Sequence, residues 1–188
     1  IYLDKGDLEK AMKYFTRSLE VKEEVGHKIG IATSLINIGE VSRQQGNFSK
    51  ALEYYENGLN IYKEIDSRNK MSEAHIIMSN AYIDQGQYHK ALVYAAKGLE
   101  SAQEMGSPGL IRDASKRLYD IYKHDGDMGN ALKMHELYID AKDSIVNEKN
   151  TKAILQLQYK YEYENKVAAD SIKNAEMQKI KDAQLVAQ

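Results

Sequence analysis

The 188-residue sequence contains no cysteine, no tryptophan and only one proline. The absence of cysteine excludes disulfide bonds and thiolate chemistry, and it leaves the redox compartment open. No run of 18 apolar residues occurs, so we predict no membrane span within this chain. A composition of 43% hydrophobic and 29% charged residues with so little proline is typical of a helical protein.

The charge balance and the missing motifs argue against two classes of function. The formal net charge is −2 and neither sign forms long blocks, whereas a nucleic-acid-binding chain usually carries a basic stripe. The sequence also lacks phosphate-binding loops, HExxH, CxxC and GxSxG, and its five histidines have no metal-ligand spacing. His75 falls on the core side of its predicted helix, so we interpret it as a packed residue. We therefore predict no nucleic-acid partner, no enzymatic activity, no metal site and no cofactor.

One stretch of the chain recurs in four related copies at a fixed interval of about 40 residues, a spacing typical of repeat proteins. The copy from Gln45 to Asp66 reads QGNFSKALEYYENGLNIYKEID, and related copies begin at Lys5, Gln85 and Asp125. Repetition at this period indicates a solenoid of stacked units, and it favours binding over catalysis.

Two columns of small residues run through the copies. A glycine column predicts helix C-terminal caps and tight turns, because glycine takes positive φ without a Cβ clash. An alanine column predicts points of close helix approach, where a larger side chain would cost about 1 to 3 kcal/mol. The columns are Gly6, Gly46, Gly86 and Gly126, and Ala11, Ala51, Ala91 and Ala131.

Apolar residues on both sides of each glycine have helical spacing. After the glycine they are Tyr14, Tyr54, Tyr94 and Met134, followed by Leu19, Leu59, Leu99 and Ile139. Before the glycine, a small residue is followed four positions later by Ile38, Met78 or Leu118. Each unit is therefore predicted to be helix, turn, helix.

These residues resemble the pattern of the tetratricopeptide repeat family. The best copy carries Asn37-Ile38-Gly39, Gly46, Phe48, Ala51, Tyr54, Tyr55 and Leu59 at the family's small, apolar and aromatic positions. The resemblance covers roughly residues 1 to 146, and it implies an all-α, right-handed superhelical solenoid with one partial and three full repeats. The family's usual unit has about 34 residues, so the longer period here implies longer helices or loops. Three residues depart from the family pattern: Ala95 and His135 stand where the second helix usually has an aromatic residue, and Tyr119 stands where the first helix usually has a small one.

The two ends of the chain depart from the repeat. Ile1 to Gly6 are in register with the end of a first helix, so we expect a piece of a longer protein. No glycine or proline follows Gly129, and residues 147 to 188 are predicted to be a helix that caps the solenoid and continues as a solvated linker. Ile154, Tyr161, Ala168 and Ala175 are spaced by seven, a weak coiled-coil pattern that leaves a dimer through this helix open. We interpret the alternating YKYEYE from Tyr159 as helix, because its flanks are helical.

The segment DSIVNEKNTKAILQLQYKYEYENK resembles the sequence that follows tetratricopeptide repeats in bacterial membrane-bound sensor proteins. In that class the repeats are usually exported, and a transmembrane segment leads to a histidine kinase, cyclase or helix-turn-helix output domain. The resemblance implies a periplasmic input region of a bacterial signal-transduction protein. The alternative is a free-standing cytosolic adaptor or peptide-responsive regulator.

The family resemblance also implies where a ligand binds, because the first helices of successive tetratricopeptide units line a concave groove. Carried over by column, the residues expected to bind a protein or peptide are Ile36, Asn37, Glu40, Arg43, Glu73, Ile76, Asn80, Ile83, Asp84, Lys116, Arg117, Asp120 and Lys123. Three of them, Ile36, Ile76 and Ile83, either form an apolar strip for an extended peptide or partner helix, or fill gaps between stacked helices. Asn37, Lys116 and Arg117 only partly resemble the clamp with which some members hold a peptide's terminal carboxylate. Glu40 and Asp113 oppose such a clamp.

Overall fold

The computed structural model describes the backbone of residues 7–186 and the side chains of residues 7–167, 171 and 173. Its helices are α1 (Leu8–Glu24), α2 (Lys28–Gln44), α3 (Phe48–Glu64), α4 (Arg68–Asp84), α5 (Tyr88–Glu104), α6 (Pro108–His124) and α7 (Met128–Val186). Residues 7–186 contain no strand, and YKYEYE lies within α7. The predicted all-α solenoid with a long C-terminal helix is confirmed. The predicted helix end at residues 1–6 lies outside the described residues.

The first six helices are identical in length and evenly spaced along the chain. Each is followed by a turn of three residues, so the starts of successive helices, such as Leu8, Lys28 and Phe48, are separated by the same interval. One sequence period therefore contains two helices and two short turns. The extra length relative to the family's usual unit lies in longer helices, one of the two expectations from the sequence.

Each of the six turns contains one residue with positive φ. These residues are Gly26, Gly46, Gly86, Gly106 and Gly126, with φ between 58° and 79°, and Asp66, with φ of 50°. At Gly46 the backbone forms a Schellman motif: the Gly46 N–H donates to the Arg43 carbonyl and the Asn47 N–H donates to the Ser42 carbonyl, both at 2.9 Å. The predicted caps are thus confirmed at the three described glycines of the column.

The helices of one repeat unit approach closely at small residues. All four alanines of the column are buried. A Cβ atom on Gly39 of α2 would lie 2.5 Å from Cε1 of Tyr55 and 3.0 Å from the carbonyl oxygen of Ala51, both on α3. Tyr55 is consequently fully buried in a cluster that also holds Leu59, Ala74 and Met78. The close approach predicted from the alanine column is confirmed.

The predicted apolar stripe after each glycine is buried only in part. Leu59 and Leu99 are buried, Tyr54 and Tyr94 are half-buried, and Tyr14 and Ile139 are exposed. The two exposed residues belong to the first and last helices, where the described chain supplies fewer facing helices. Position in the solenoid therefore decides whether a stripe residue is covered.

Helix α7 differs from the others because it continues past the point where a turn is due. Gly26, Asp66 and Gly106 occupy one turn position of the repeat, and the next residue in that series is Val146. A β-branched residue strongly disfavours positive φ, so the chain has no turn residue there and the helix continues. The boundary proposed between residues 146 and 147 lies inside this helix.

Contacts divide the chain into a unit Ile1–Asp143 and a unit Ser144–Gln188. In the unit Ser144–Gln188, every side chain from 146 to 167 is exposed, including Ile154, Leu157 and Tyr161. Ala168 and Ala175, half of the predicted heptad spacing, lie outside the described side chains. None of the helices described within residues 7–186 has an 18-residue segment apolar enough to cross a bilayer.

Candidate binding surface

The thirteen residues predicted to bind a ligand lie on α2, α4 and α6, and we call them the candidate surface. Helix α4 contacts α6, and Arg43 of α2 forms an ion pair with Asp84 of α4. The candidate surface therefore crosses three connected helices. Nine of its residues are half-buried, Asp84 and Lys123 are exposed, and Ile36 and Ile76 are buried.

Ile36 and Ile76 pack into the interior. Their exposed fractions are 7% and 6%. A Cβ atom on Gly58 would lie 3.0 Å from Ile36 Cδ1, and one on Gly98 would lie 2.7 Å from Ile76 Cγ1, so each isoleucine fills the space over a glycine of the facing helix. Ile83 is partly buried and packs against the cluster that contains Ile76. Most of the apolar area of these three side chains is thus used within the solenoid.

Glu40 and Arg43 form the centre of an ionic network. Arg43 donates from Nε and Nη2 to the two Glu40 carboxylate oxygens, at 3.0 and 2.7 Å, and from Nη1 to Asp84. Gln44 and the buried Tyr55 hydroxyl donate to the same carboxylate at 2.9 and 3.0 Å. The network ties α2 to α3 and to α4, so it links two successive repeat units.

The network shifts the protonation equilibria of its members. Burial alone would raise the pKa of Glu40, but the hydrogen bonds from Arg43, Gln44 and Tyr55 outweigh it and hold this pKa below its usual value. The hydrogen bond to Glu40 raises the pKa of Arg43. Burial is the main cause that raises the pKa of Tyr55. Glu40 and Arg43 are therefore charged and mutually satisfied at neutral pH.

Other polar atoms of α4 and α6 are not satisfied. Among the described side chains, three buried atoms have no hydrogen-bond partner: Nδ1 of His75, Oδ1 of Asn80 and Nε of Arg117. Asn80 and Arg117 belong to the candidate surface, and His75 is on the same helix as Asn80. Buried polar atoms normally have a partner, so these three atoms are exceptions among the described side chains.

His75 is half-buried, and its ring centroid lies 6.0 Å from that of Tyr94. Burial, with a smaller effect of Lys97 and Lys63, lowers the pKa of His75 to about 4, so the ring is neutral at pH 7. Within the part of the chain that the structure describes, no group of three His, Asp or Glu residues is placed to hold a metal ion.

One cavity includes residues that the sequence interpretation missed. It has a volume of about 320 Å³ and is lined by Arg112, Asp113, Lys116, Arg117, Tyr138 and Lys142. We call it the α6–α7 cavity. Lys116 and Arg117 were predicted as binding residues, whereas Arg112, Tyr138 and Lys142 were not. Alignment of the repeats could have indicated this cavity, because Tyr138 stands at the position where the two preceding repeats have Gly58 and Gly98.

Comparisons with known proteins agree with this fold. Residues 1–64 match the sequence model of the tetratricopeptide repeat family, and a search of curated proteins gave no match. Similar solved structures are BtubC (BKLC) from P. vanneervenii, with a TM-score of 0.68, and the apo form of RapI, with 0.53. A third is the TPR domain of Arabidopsis FLU, with a TM-score of 0.56.

Each of the three is 19% identical to this chain, a level at which the likeness establishes the fold alone. The alignments cover 77%, 78% and 60% of this chain, in the order named. They cover 60% of BtubC, 66% of RapI and 95% of the FLU domain. The chain thus spans less than two thirds of the length of BtubC and RapI.

Proposed function

We propose that the chain is a non-catalytic tetratricopeptide repeat module that binds a protein or peptide on the candidate surface. The match of residues 1–64 to the family model and the likeness to a solved tetratricopeptide domain support this proposal. The observation that carries this proposal is the pair of buried, partnerless atoms on that surface, Asn80 Oδ1 and Arg117 Nε. A buried polar atom without a partner costs about 1 to 3 kcal/mol. A peptide backbone supplies both donors and acceptors, so it can satisfy an acceptor on α4 and a donor on α6 together.

Selection from a random peptide display library, followed by calorimetry on the selected peptides, tests the proposal. We expect Glu73→Ala with Asn80→Ala to weaken the binding of selected peptides by about tenfold or more. The matched control is Glu53→Ala with Asn57→Ala, which changes the same residue types at exposed positions of α3. If the two double variants weakened peptide binding equally, the candidate surface would not be the binding site.

The finer proposal is that the module is the input region of a bacterial signal-transduction protein. Its support is the resemblance of the tail to the segment after the repeats of sensor proteins, and the unbroken course of α7 from the last repeat into that tail. A free-standing cytosolic adaptor or peptide-responsive regulator is the alternative. A coding sequence with an export signal upstream and a hydrophobic span of about 20 residues downstream would support the periplasmic sensor. A stop codon soon after Gln188 would support the adaptor.

The exposed apolar residues of the tail also support association of two copies through this helix. Ile154, Leu157 and Tyr161 follow one another at intervals of three and four residues, the spacing of a coiled-coil seam, and are 65 to 72% exposed. Sedimentation equilibrium should show a dimer that Leu157→Glu weakens by about tenfold or more. Tyr159→Glu, which lies off this seam, is the control. A monomer at all concentrations would exclude the dimer.

A further inference from the structure

The three full repeat units are α2–α3, α4–α5 and α6–α7, and we call them the first, second and third repeat units. The α6–α7 cavity lies in the third, at a place that is closed in the first two. In the unit of α4 and α5, Ile76 fills the space above Gly98, and the Ser72 hydroxyl donates to the Gly98 carbonyl at 2.8 Å. At the position of Gly98 the third unit has Tyr138. A Cβ atom alone would lie 2.7 Å from Ile76 at that site, so the packing of the second unit cannot be repeated around a tyrosine.

Cations accompany this change. Where the first two units have Ile36 and Ile76, the third has Lys116, and where they have Tyr62 and Ala102 it has Lys142. Arg112 and Arg117 also line the cavity. In the first two repeat units, the position of Arg112 is occupied by Ala32 and Ser72, and the position of Arg117 is occupied by Asn37 and Ile77. All four cations of the cavity are therefore specific to the third unit.

The carboxylates around the cavity neutralise only half of this charge. Asp113 pairs with Arg112 at 2.7 Å, and Asp120 pairs with Lys116 at 2.6 Å. Arg117 reaches Asp120 only at 4.0 Å, and its buried Nε has no acceptor. Lys142 has no ion pair among the described side chains. Four cations against two carboxylates leave a formal charge of +2 at this cavity.

We propose that the α6–α7 cavity binds a dianionic phosphate group, carried by a phosphorylated segment of the protein partner or present as free phosphate. A phosphate monoester has a charge of about −1.5 to −2 at pH 7 and three acceptor oxygens, which matches the charge of +2. The planar guanidinium of Arg117 suits a tetrahedral oxyanion, because it donates two parallel hydrogen bonds. A single carboxylate would leave half of the excess charge unbalanced. The version with a phosphorylated partner rests on the proposed function.

Calorimetric titrations of the 188-residue chain at pH 7.5 test the inference, with inorganic phosphate, acetate, acetyl-Gly-phosphoserine-Gly amide and its unphosphorylated form as probes. The informative variant is Lys116→Ile with Lys142→Ala, which installs the residues of the preceding unit. The control, Lys50→Ala with Lys90→Ala, removes the same charge from exposed positions of α3 and α5. Circular dichroism verifies that both variants remain helical.

We expect both phosphate probes to bind the unmodified chain. Their affinity for the cavity variant should be at least tenfold weaker, and their affinity for the control variant should lie within twofold of that for the unmodified chain. Arg117→Lys, which retains the charge but loses the planar fork, should weaken binding severalfold. Tighter binding of the phosphopeptide than of inorganic phosphate would identify a phosphorylated chain as the source, and equal binding would identify free phosphate.

No binding of either phosphate probe, equal binding to the cavity variant, or acetate binding as tight as phosphate would overturn the inference. Such a result would leave the proposed function standing if selected peptides still depended on Glu73 and Asn80. Loss of that dependence with phosphate binding intact would instead overturn the proposed function alone.

Discussion

The repeats and the tail use the same residue type in opposite ways. In the repeats, Tyr55 is fully buried where α3 meets Gly39 of α2. In the tail, Tyr159, Tyr161 and Tyr163 are 65 to 69% exposed on the same kind of element, an uninterrupted helix. The comparison teaches that a facing helix, and not the hydropathy of the residue, decides which aromatic side chains stabilise this protein.

The largest expected contrast is between truncations of two tyrosines. Tyr55→Ala should lower the free energy of unfolding by about 3 to 5 kcal/mol, because it opens a cavity in the core and removes a donor to Glu40. Tyr159→Ala, at an exposed position off the proposed coiled-coil seam, should change it by less than about 0.5 kcal/mol. Urea unfolding of the chain followed by circular dichroism measures both. A comparable loss in the two variants would show that the tail aromatic is covered in solution.

A smaller contrast is expected between two glycines. Gly39→Ala should destabilise the protein by about 1 to 3 kcal/mol, because the new methyl group would meet the Tyr55 ring at 2.5 Å. Gly109→Ala, where an added Cβ would meet nothing within 4 Å beyond its chain neighbours and its own helix backbone, should stabilise it by about 0.5 kcal/mol through helix propensity. Both follow from the same urea titration. A neutral Gly39→Ala would contradict the close approach of α2 and α3.

The ionic network should add a pH-dependent contrast. The pKa of Glu40 is lower in the folded chain, so its contribution is present above the ordinary value of 4.5 and is lost as the pH falls through the folded pKa. Glu40→Gln should therefore cost about 1 kcal/mol at pH 7, the difference between hydrogen bonds to charged and neutral acceptors, and nothing at low pH. Glu164→Gln, in the exposed pair with Lys160, should have almost no effect. A Glu40→Gln cost that does not vary with pH would refute the ionic role.

The smallest expected effect concerns the turns. Asp66 has a φ of 50° where the other five turns have glycine, so Asp66→Gly should raise the free energy of unfolding by less than about 1 kcal/mol. The reverse change, Gly46→Asp, should lower it by a similar amount. Thermal unfolding of the two variants measures the difference. A destabilised Asp66→Gly would indicate that the aspartate side chain contributes to its turn.

Much of this architecture was predictable because its causes are local. Gly46, Gly86 and Gly126 end helices through their own backbone freedom, and the absence of glycine and proline after Gly129 indicated that the repeats stop. The interior was harder to predict. Ile36, Ile76 and Ile83 have the same helical spacing whether they face a ligand or a neighbouring helix, and Gly58 and Gly98 decide between the two by admitting the first two isoleucines into the core.

The sequence by itself determined the helices, their turns and the continuation of α7 past Val146, because each depends on propensities of adjacent residues. Only the tertiary structure decided which polar atoms are left without partners, and that Tyr138 and Lys142 face Arg112 and Arg117 across a cavity. These features depend on how far apart two helices stand. That distance is a property of facing side chains from different parts of the chain.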